Sequence, residues 1–261
     1  MCPFVKVNNL IADLQLHDFK TFPCPLVTLK NRERKNEGFI FPEGLVPPGS
    51  FVIQNCLFRT GESIETEKKF LRAGARATQY FDPKDVRADI VVIGKIAPGI
   101  NTIIRELVYL LKETYKVEKV TGVRFGFKGY SDDSLPDPMI DLTPKLVETI
   151  HHHGGSFLGL SKTIANTSKV VENLVQRKVN QLYLIGGNDT VHEAIEIYRE
   201  IKRRKLSIAV CVCLKAINMD MAYIDSCFGF ESAVEETQRF VEEGYALVKS
   251  NFNSVSKGVE I

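Results

Sequence analysis

The chain has 261 residues, of which 44% are hydrophobic and 25% are charged, and its formal net charge is +2. This composition is typical of a globular protein, and the charge gives no basis for a nucleic-acid partner. No apolar stretch approaches the ~20 residues that a membrane-spanning helix needs, so no membrane partner is expected. The scattered cysteines form no C-x-x-C pair and the N-terminus has no signal-peptide pattern, which predicts a reducing, cytoplasmic location.

The first 85 residues lack any sustained hydrophobic period. Prolines interrupt them repeatedly, among them Pro23, Pro25, Pro42 and Pro47. Such punctuation predicts short strands and turns. We therefore expect an irregular N-terminal extension over residues 1–85 and a separate domain over residues 86–261.

From Asp89 onwards, strand-like and helix-like segments alternate. Apolar runs predict strands at 90–93, 117–127, 156–159, 181–185 and 206–213. Apolar stripes predict helices after Pro98-Gly99, from Leu142 to about 153, and at 167–177, 191–202 and 228–249. This order predicts an α/β domain with a Rossmann-like parallel sheet and helices on both faces. The strand spacing also predicts that Cys211 and Cys213 are buried, and the apolar pattern of 228–234 predicts core packing.

In sheets of this kind, ligands bind beyond the carboxyl ends of the strands. The candidate loops are 94–99, 159–163, 186–190 and 214–220. The third is the most informative, because the apolar run 182–185 opens into Gly186-Gly187 and then Asn188-Asp189-Thr190. A strand that feeds a glycine turn at a helix start is typical of a phosphate-binding site.

Five separated motifs resemble the phosphofructokinase family, and the plant-type members most closely. They are Ala97–Glu106, Gly126–Tyr130, Leu158–Lys162, Gly186–Thr190 and Phe228–Glu236. The resemblance covers about residues 70 to 250 and implies the N-terminal half of that fold. It also implies transfer of a phosphoryl group to fructose 6-phosphate, with Mg²⁺ and either ATP or pyrophosphate as the donor.

The resemblance assigns donor binding to three of the loops. The matching positions are Gly94, Lys95, Lys162, Thr163, Gly186, Gly187, Asp189 and Thr190. At the family's Mg²⁺ ligand stands Asn188, a neutral group where relatives have aspartate. Asp189 matches the Gly-Gly-Asp-Asp-Thr form of pyrophosphate users, whereas ATP users have glycine there.

The fourth loop corresponds to the family's acceptor site. Its Lys215, Ala216 and Asp220 fall on substrate-binding positions, and Asn218 falls on the position of the general base. An amide cannot accept a proton at useful pH, so Asn218 is predicted not to act as a base. Ala216 also lacks the hydroxyl that the family's threonine supplies.

The family continues into a second half, beginning at a Met-Gly-Arg motif that this chain does not reach. We therefore expect the isolated chain to be inactive or weakly active. Three interpretations stay open at this point. The chain is an active 6-phosphofructokinase, a degenerate relative that binds phosphate or associates with full-length homologous subunits, or a partial gene product.

Overall fold

The computed structural model describes residues 22–24, 45–47, 49–53, 69–72, 74–161, 166–220, 224 and 226–250. The chain divides into two compact units. One comprises Met1–Asp85 with Thr114–Lys116, and the other comprises Val86–Glu113 with Val117–Ile261.

The described part of the first unit contains two short antiparallel pairs. Strand β1 (Phe22–Pro23) pairs with β4 (Thr78–Gln79), and β2 (Phe51–Ile53) pairs with β3 (Lys69–Leu71). A 3₁₀ turn follows at Pro83–Asp85. Short strands broken by proline and glycine match the expectation for this region, although much of it lies outside the described residues.

The second unit contains a five-stranded sheet. Its strands are β5 (Arg87–Val92), β6 (Lys119–Val123), β7 (Met139–Asp141), β8 (Gln181–Gly186) and β9 (Ala209–Leu214). Its helices are α1 (Ile100–Tyr109), α2 (Lys128–Ser131), α3 (Pro144–Val147), α4 (Thr167–Gln176), α5 (Asn188–Arg203) and α6 (Phe230–Ser250). The strand order is β7-β6-β5-β8-β9, and only the β6–β7 pairing is antiparallel.

Strand β5 runs through the middle of the sheet and is buried on both faces. Val91 and Ile93 belong to one apolar cluster with Leu174 of α4 and Ile197 of α5. Alternate residues of a strand face opposite sides, so Ile90 lies on the other face, where it is also fully buried. The predicted α/β architecture is confirmed, and its parallel core holds the carboxyl ends of β5, β8 and β9 at one edge.

One predicted strand is wrong, and one observed strand was not predicted. The run Ser156–Gly159 is a turn rather than a strand, because the Ser156 hydroxyl donates to the Gly159 carbonyl (3.0 Å) and Gly159 has a φ of +72°. The sheet instead contains β7, in a segment for which no strand was predicted. Buried Asn101 holds the Ser156 turn in place, since its side-chain oxygen accepts from the Phe157 amide at 2.7 Å.

Strand β9 is much less covered than β5. Cys211 is exposed and Cys213 is half-buried, so the prediction that both are buried is wrong. Strand β9 is last in the strand order, with β8 as its partner among the described residues, and this position leaves its side chains less covered than those of β5.

Helix α6 also departs from the expectation of core packing. None of its residues is buried, and Phe228 and Val234 are 52% and 51% exposed. Its apolar residues are grouped on one side of the helix at three- and four-residue spacing, among them Val234, Val241 and Val248. Within the described parts of the chain, no helix is both long and apolar enough to cross a lipid bilayer.

Candidate phosphate-binding site

The first element of the site is the turn that follows β5. Gly94 has a φ of +83°, which favours glycine, and its amide donates to the Ser161 carbonyl at 2.8 Å. A Cβ placed on Gly94 would lie 3.9 Å from both Lys215 Nζ and Thr190 Oγ1. Three separated loops therefore meet at Gly94.

The second element is the start of α5. Gly186 ends β8, and a Cβ there would lie 2.0 Å from Thr190 Oγ1, so only glycine allows the Thr190 side chain to fold back over the strand end. The Thr190 hydroxyl is buried and has no hydrogen-bond partner among the described residues. A buried polar group without a partner is costly, which makes this hydroxyl a candidate ligand contact.

The third element is Lys215, which directly follows β9. The residue is only 3% exposed, and its ammonium donates to the Lys95 carbonyl. No carboxylate in the described part of the chain forms an ion pair with it. Burial lowers the pKa of Lys215 to about 8, because the charged form loses hydration without gaining a counter-ion.

Gly187 and Ala216 connect the second and third elements. The Lys215 amide donates to the Gly186 carbonyl at 3.0 Å, and a Cβ on Gly187 would lie 3.4 Å from the Lys215 carbonyl oxygen. We call Gly94, Gly186, Gly187, Thr190 and Lys215 the phosphate cradle. The predicted donor-binding glycines are thus brought together with Lys215, which the resemblance had assigned to the acceptor.

Two further residues shape the cradle, and neither was among the site residues predicted from the sequence. Ser161 is buried, and its hydroxyl accepts from the Phe127 amide at 3.2 Å. Its backbone bridges to Ile93, so it joins the second and third motifs to the end of β5. Phe228 bridges to Lys215 and joins the fifth motif to the loop 214–220.

The other predicted site residues lie around the cradle. Asn188 and Asp189 are the first two residues of α5, where Asn188 is partly exposed and Asp189 is exposed. Asn218 and Asp220 are exposed in the loop after Lys215. The side chain of Lys95 is also exposed, so it does not fill the turn. Lys162 and Thr163 lie outside the described residues.

The residues present fit Mg²⁺ only in company with a phosphate. The described residues contain no group of three or more His, Cys, Asp or Glu side chains that could hold a metal ion by themselves. Mg²⁺ is commonly held by one or two carboxylates together with substrate phosphates. Asp189 supplies one carboxylate at the cradle, and Asn188 supplies a neutral amide oxygen.

A sequence profile described as Phosphofructokinase matches residues 87–255, which include every element from β5 to α6. The chain belongs to the phosphofructokinase family. The motif resemblance noted above is therefore confirmed, and the cradle lies where the family's motifs converge.

Individual phosphofructokinases agree with this assignment. The chain is 38% identical over 241 residues to the chloroplastic ATP-dependent 6-phosphofructokinase 4 of Arabidopsis thaliana, covering 92% of this chain and 43% of that protein. It is 40% identical over 187 residues to ATP-dependent 6-phosphofructokinase 7 of the same plant, covering 71% and 38%. The chain thus spans less than half the length of these curated relatives.

The solved structures support the same fold. The pyrophosphate-dependent phosphofructokinase from Marinobacter aquaeolei superposes with a TM-score of 0.57 at 19% identity. The match covers 63% of this chain and 42% of that one. At this identity the likeness concerns the fold alone.

Proposed function

We propose that this phosphofructokinase-family chain binds the phosphate groups of a donor, ATP or pyrophosphate, in the phosphate cradle. The observation that carries the proposal is the buried ammonium of Lys215, which lies beside Gly94 without a carboxylate partner among the described residues. A buried charge of this kind is costly unless a group of opposite charge pairs with it. A phosphate oxygen at Gly94 would supply that charge.

The surroundings of Lys215 support an anion rather than a neutral ligand. Helix α5 begins at Asn188, so its free amides and the positive end of its dipole face the same cradle. The buried Thr190 hydroxyl adds a donor. Glycine at 94, 186 and 187 leaves the backbone accessible, as close approach to a phosphate requires.

The same chain is proposed to be weak or inactive in phosphoryl transfer to fructose 6-phosphate. At the base position, Asn218 cannot take the proton of an attacking hydroxyl. At the metal position, Asn188 offers no charge to Mg²⁺. General-base catalysis contributes about 10²–10⁴-fold to the rate, so the loss of the base alone reduces turnover by about that factor.

The identity of the donor depends on Asp189. Its carboxylate lies in the first turn of α5 and matches the pyrophosphate-dependent motif, whereas the curated relatives reported above are named as ATP-dependent. If Asp189 occupies the space of a nucleotide α-phosphate, pyrophosphate binds and ATP does not. The test therefore compares both donors.

The test measures donor binding and turnover separately. Calorimetric titration with pyrophosphate and with ATP, each with Mg²⁺, should give binding to at least one donor. Lys215→Met should weaken it at least about tenfold. Lys145→Met, at an exposed lysine of α3, is the matched control and should bind like the unmodified chain.

A coupled assay for fructose 1,6-bisphosphate then measures transfer. Turnover that falls when Asp189 is replaced by alanine would contradict weak or absent activity. Absence of binding by both donors would contradict the cradle.

A second candidate function is association with a full-length phosphofructokinase subunit. The exposed side of α6 favours it, because Val234, Phe240, Val241, Tyr245 and Leu247 are 46–68% exposed. A helix with one apolar face normally packs that face against a partner. The curated relatives contain more than half their length outside the matched region, which supports a full-length subunit as the occupant.

Association is tested with two purified proteins. Sedimentation of this chain mixed with full-length Arabidopsis ATP-dependent 6-phosphofructokinase 7 should give a mixed complex. Val241→Glu should abolish the complex, whereas Glu242→Gln on the charged side of α6 should leave it intact. A complex of this chain with itself, or none at all, would overturn the choice of occupant.

A further inference from the structure

A second concave region lies at the amino ends of the parallel strands, opposite the carboxyl ends that form the phosphate cradle. It is a cavity of about 220 Å³ between the first residues of β5 and β6 and the end of α4. Four cationic side chains line it, from Arg87, Lys119, Arg177 and Lys178, together with Asp89 and Thr121. We call these six residues the basic pocket, and all of them lie within the second unit.

The single carboxylate of the basic pocket is already occupied. Asp89 is 1% exposed, and Arg177 donates to both of its oxygens, with Nη2 at 3.1 Å from Oδ1. The Tyr130 hydroxyl donates to Oδ2 at 2.7 Å. Burial raises the pKa of Asp89, and Arg177 opposes that shift. Asp89 thus pairs with Arg177, and Lys119 is also close enough to oppose the rise in the pKa of Asp89. One carboxylate therefore faces four cations in this pocket.

The remaining cations, Arg87, Lys119 and Lys178, are exposed. Among the described residues, no carboxylate forms an ion pair with Arg87, Lys119 or Lys178. Arg87 and Lys119 are directly opposite each other in the parallel register of β5 and β6. Like charges on paired strands repel, so this arrangement costs stability that a bound anion would recover.

The position of α4 explains some of this charge but not all of it. Arg177 and Lys178 directly follow α4, where cations interact favourably with the helix dipole. The same argument does not apply to Arg87 and Lys119, which begin strands. Stabilisation by the helix dipole therefore does not account for Arg87 and Lys119.

We propose that the basic pocket binds a small, multiply charged anion of the phosphate or phosphate-ester class, separately from the cradle. The cavity is smaller than the roughly 300–1,000 Å³ of sites for drug-sized ligands, which favours orthophosphate or a short phosphate ester over a nucleotide. The Thr121 hydroxyl provides a donor beside the cations.

The experiment uses the Lys215→Met chain, so that binding at the cradle does not interfere. Orthophosphate is titrated at constant ionic strength, set with sodium chloride, and backbone amide signals are followed by NMR. Signals of Arg87, Lys119 and Lys178 should shift and saturate, and the same should hold in the unmodified chain. Glycerol phosphate tests the ester, and saturable shifts with either compound support the class and identify the source.

A double variant provides the decisive comparison. Lys119→Gln with Lys178→Gln should weaken phosphate binding at these signals by at least about tenfold. The matched control is Lys145→Gln with Lys205→Gln, because Lys205 follows α5 at a φ of +53° just as Lys178 follows α4 at +57°. The control should bind within about twofold of its parent.

Three outcomes would overturn the proposal. The pocket signals do not shift, or sodium chloride alone shifts them equally, or the double variant and its control weaken binding to the same extent. None of these outcomes bears on the cradle, since the cradle is tested by donor binding to Lys215.

Discussion

Each end of the parallel strands contains one buried charge, and among the described residues only one of the two charges has an ion-pair partner. At the amino edge, buried Asp89 is paired with Arg177 and accepts from Tyr130. At the carboxyl edge, buried Lys215 contacts a backbone carbonyl and has no carboxylate partner in the described chain. A buried charge that is paired with an opposite charge indicates a structural role. A buried charge without such a partner indicates a place for a ligand.

The largest expected loss of stability comes from removing Arg177, the ion-pair partner of Asp89. Arg177→Met leaves the Asp89 carboxyl buried beside Tyr130 alone, and breaking a buried ion pair costs about 3–5 kcal/mol. Because the Arg177 side chain is 24% exposed, we expect a loss near the lower end, about 3 kcal/mol. Urea unfolding measures it. Lys178→Gln, at the neighbouring exposed lysine, should change stability by less than about 0.5 kcal/mol.

If Arg177→Met lowers stability by less than about 1 kcal/mol, the Asp89–Arg177 ion pair is not a major structural contact. The contrast with Lys215 would then be lost.

An intermediate effect is expected from filling the cradle. In Gly186→Ala, the new Cβ would lie 2.0 Å from Thr190 Oγ1 and 2.5 Å from Thr190 Cβ, so the start of α5 must shift. Overpacking of this kind costs about 1–3 kcal/mol, and donor binding should weaken with it. Thermal unfolding and calorimetric titration measure the two losses.

Gly154→Ala is the matched control, because no atom lies within 4 Å of the Cβ it would add. Equal effects of the two substitutions would show that contact with Thr190 is not what requires glycine at position 186.

The smallest expected change in stability has the opposite sign. Lys215→Met removes a buried cation that has no carboxylate partner among the described residues, and it should stabilise the donor-free chain at pH 7 by about 1–2 kcal/mol, although it weakens donor binding. Chemical unfolding without ligand measures the gain. A stability loss above about 1 kcal/mol would mean that Lys215 is a favourable structural contact.

The pH dependence follows from the same group. The pKa of Lys215 is about 8 in the folded chain and 10.5 as its ordinary value. Between these pH values the unfolded state binds the extra proton, so stability rises with pH. The advantage of Lys215→Met is therefore full below pH 8 and declines towards pH 10.5. Saturating pyrophosphate should raise the pKa of Lys215 in the unmodified chain, because a bound anion favours the charged ammonium.

The sequence predicted the general fold because the relevant signals are local. Four apolar residues at 90–93 followed by glycine specify a buried strand and its turn, and the start of α5 is marked by the glycine pair at 186–187. The turn at 156–159 was misread because its apolar Phe157-Leu158 pair suits a strand. The contact that decides it, between the Ser156 hydroxyl and the Gly159 carbonyl, is not visible in a hydrophobic pattern.

The candidate site was predictable as a set of loops but not as a set of contacts. The candidate loops and the family resemblance identified Gly94, Gly186 and Lys215. Nothing local indicates that Lys215 is buried or that its ammonium reaches the Lys95 carbonyl, 120 residues away in sequence. The same limit applies to Ser161 and Phe228. Their contribution consists of backbone bridges between distant segments.

The segment directly before α6 connects this helix to the phosphate cradle. Gly229 is wedged against the first loop, where an added Cβ would lie 3.0 Å from the Pro98 carbonyl oxygen, and Phe228 is bridged to Lys215. A partner that binds α6 is therefore connected to Lys215 through Phe228. If that partner shifts Lys215, then by thermodynamic reciprocity occupancy of the cradle changes the affinity of the partner for α6 by the same factor.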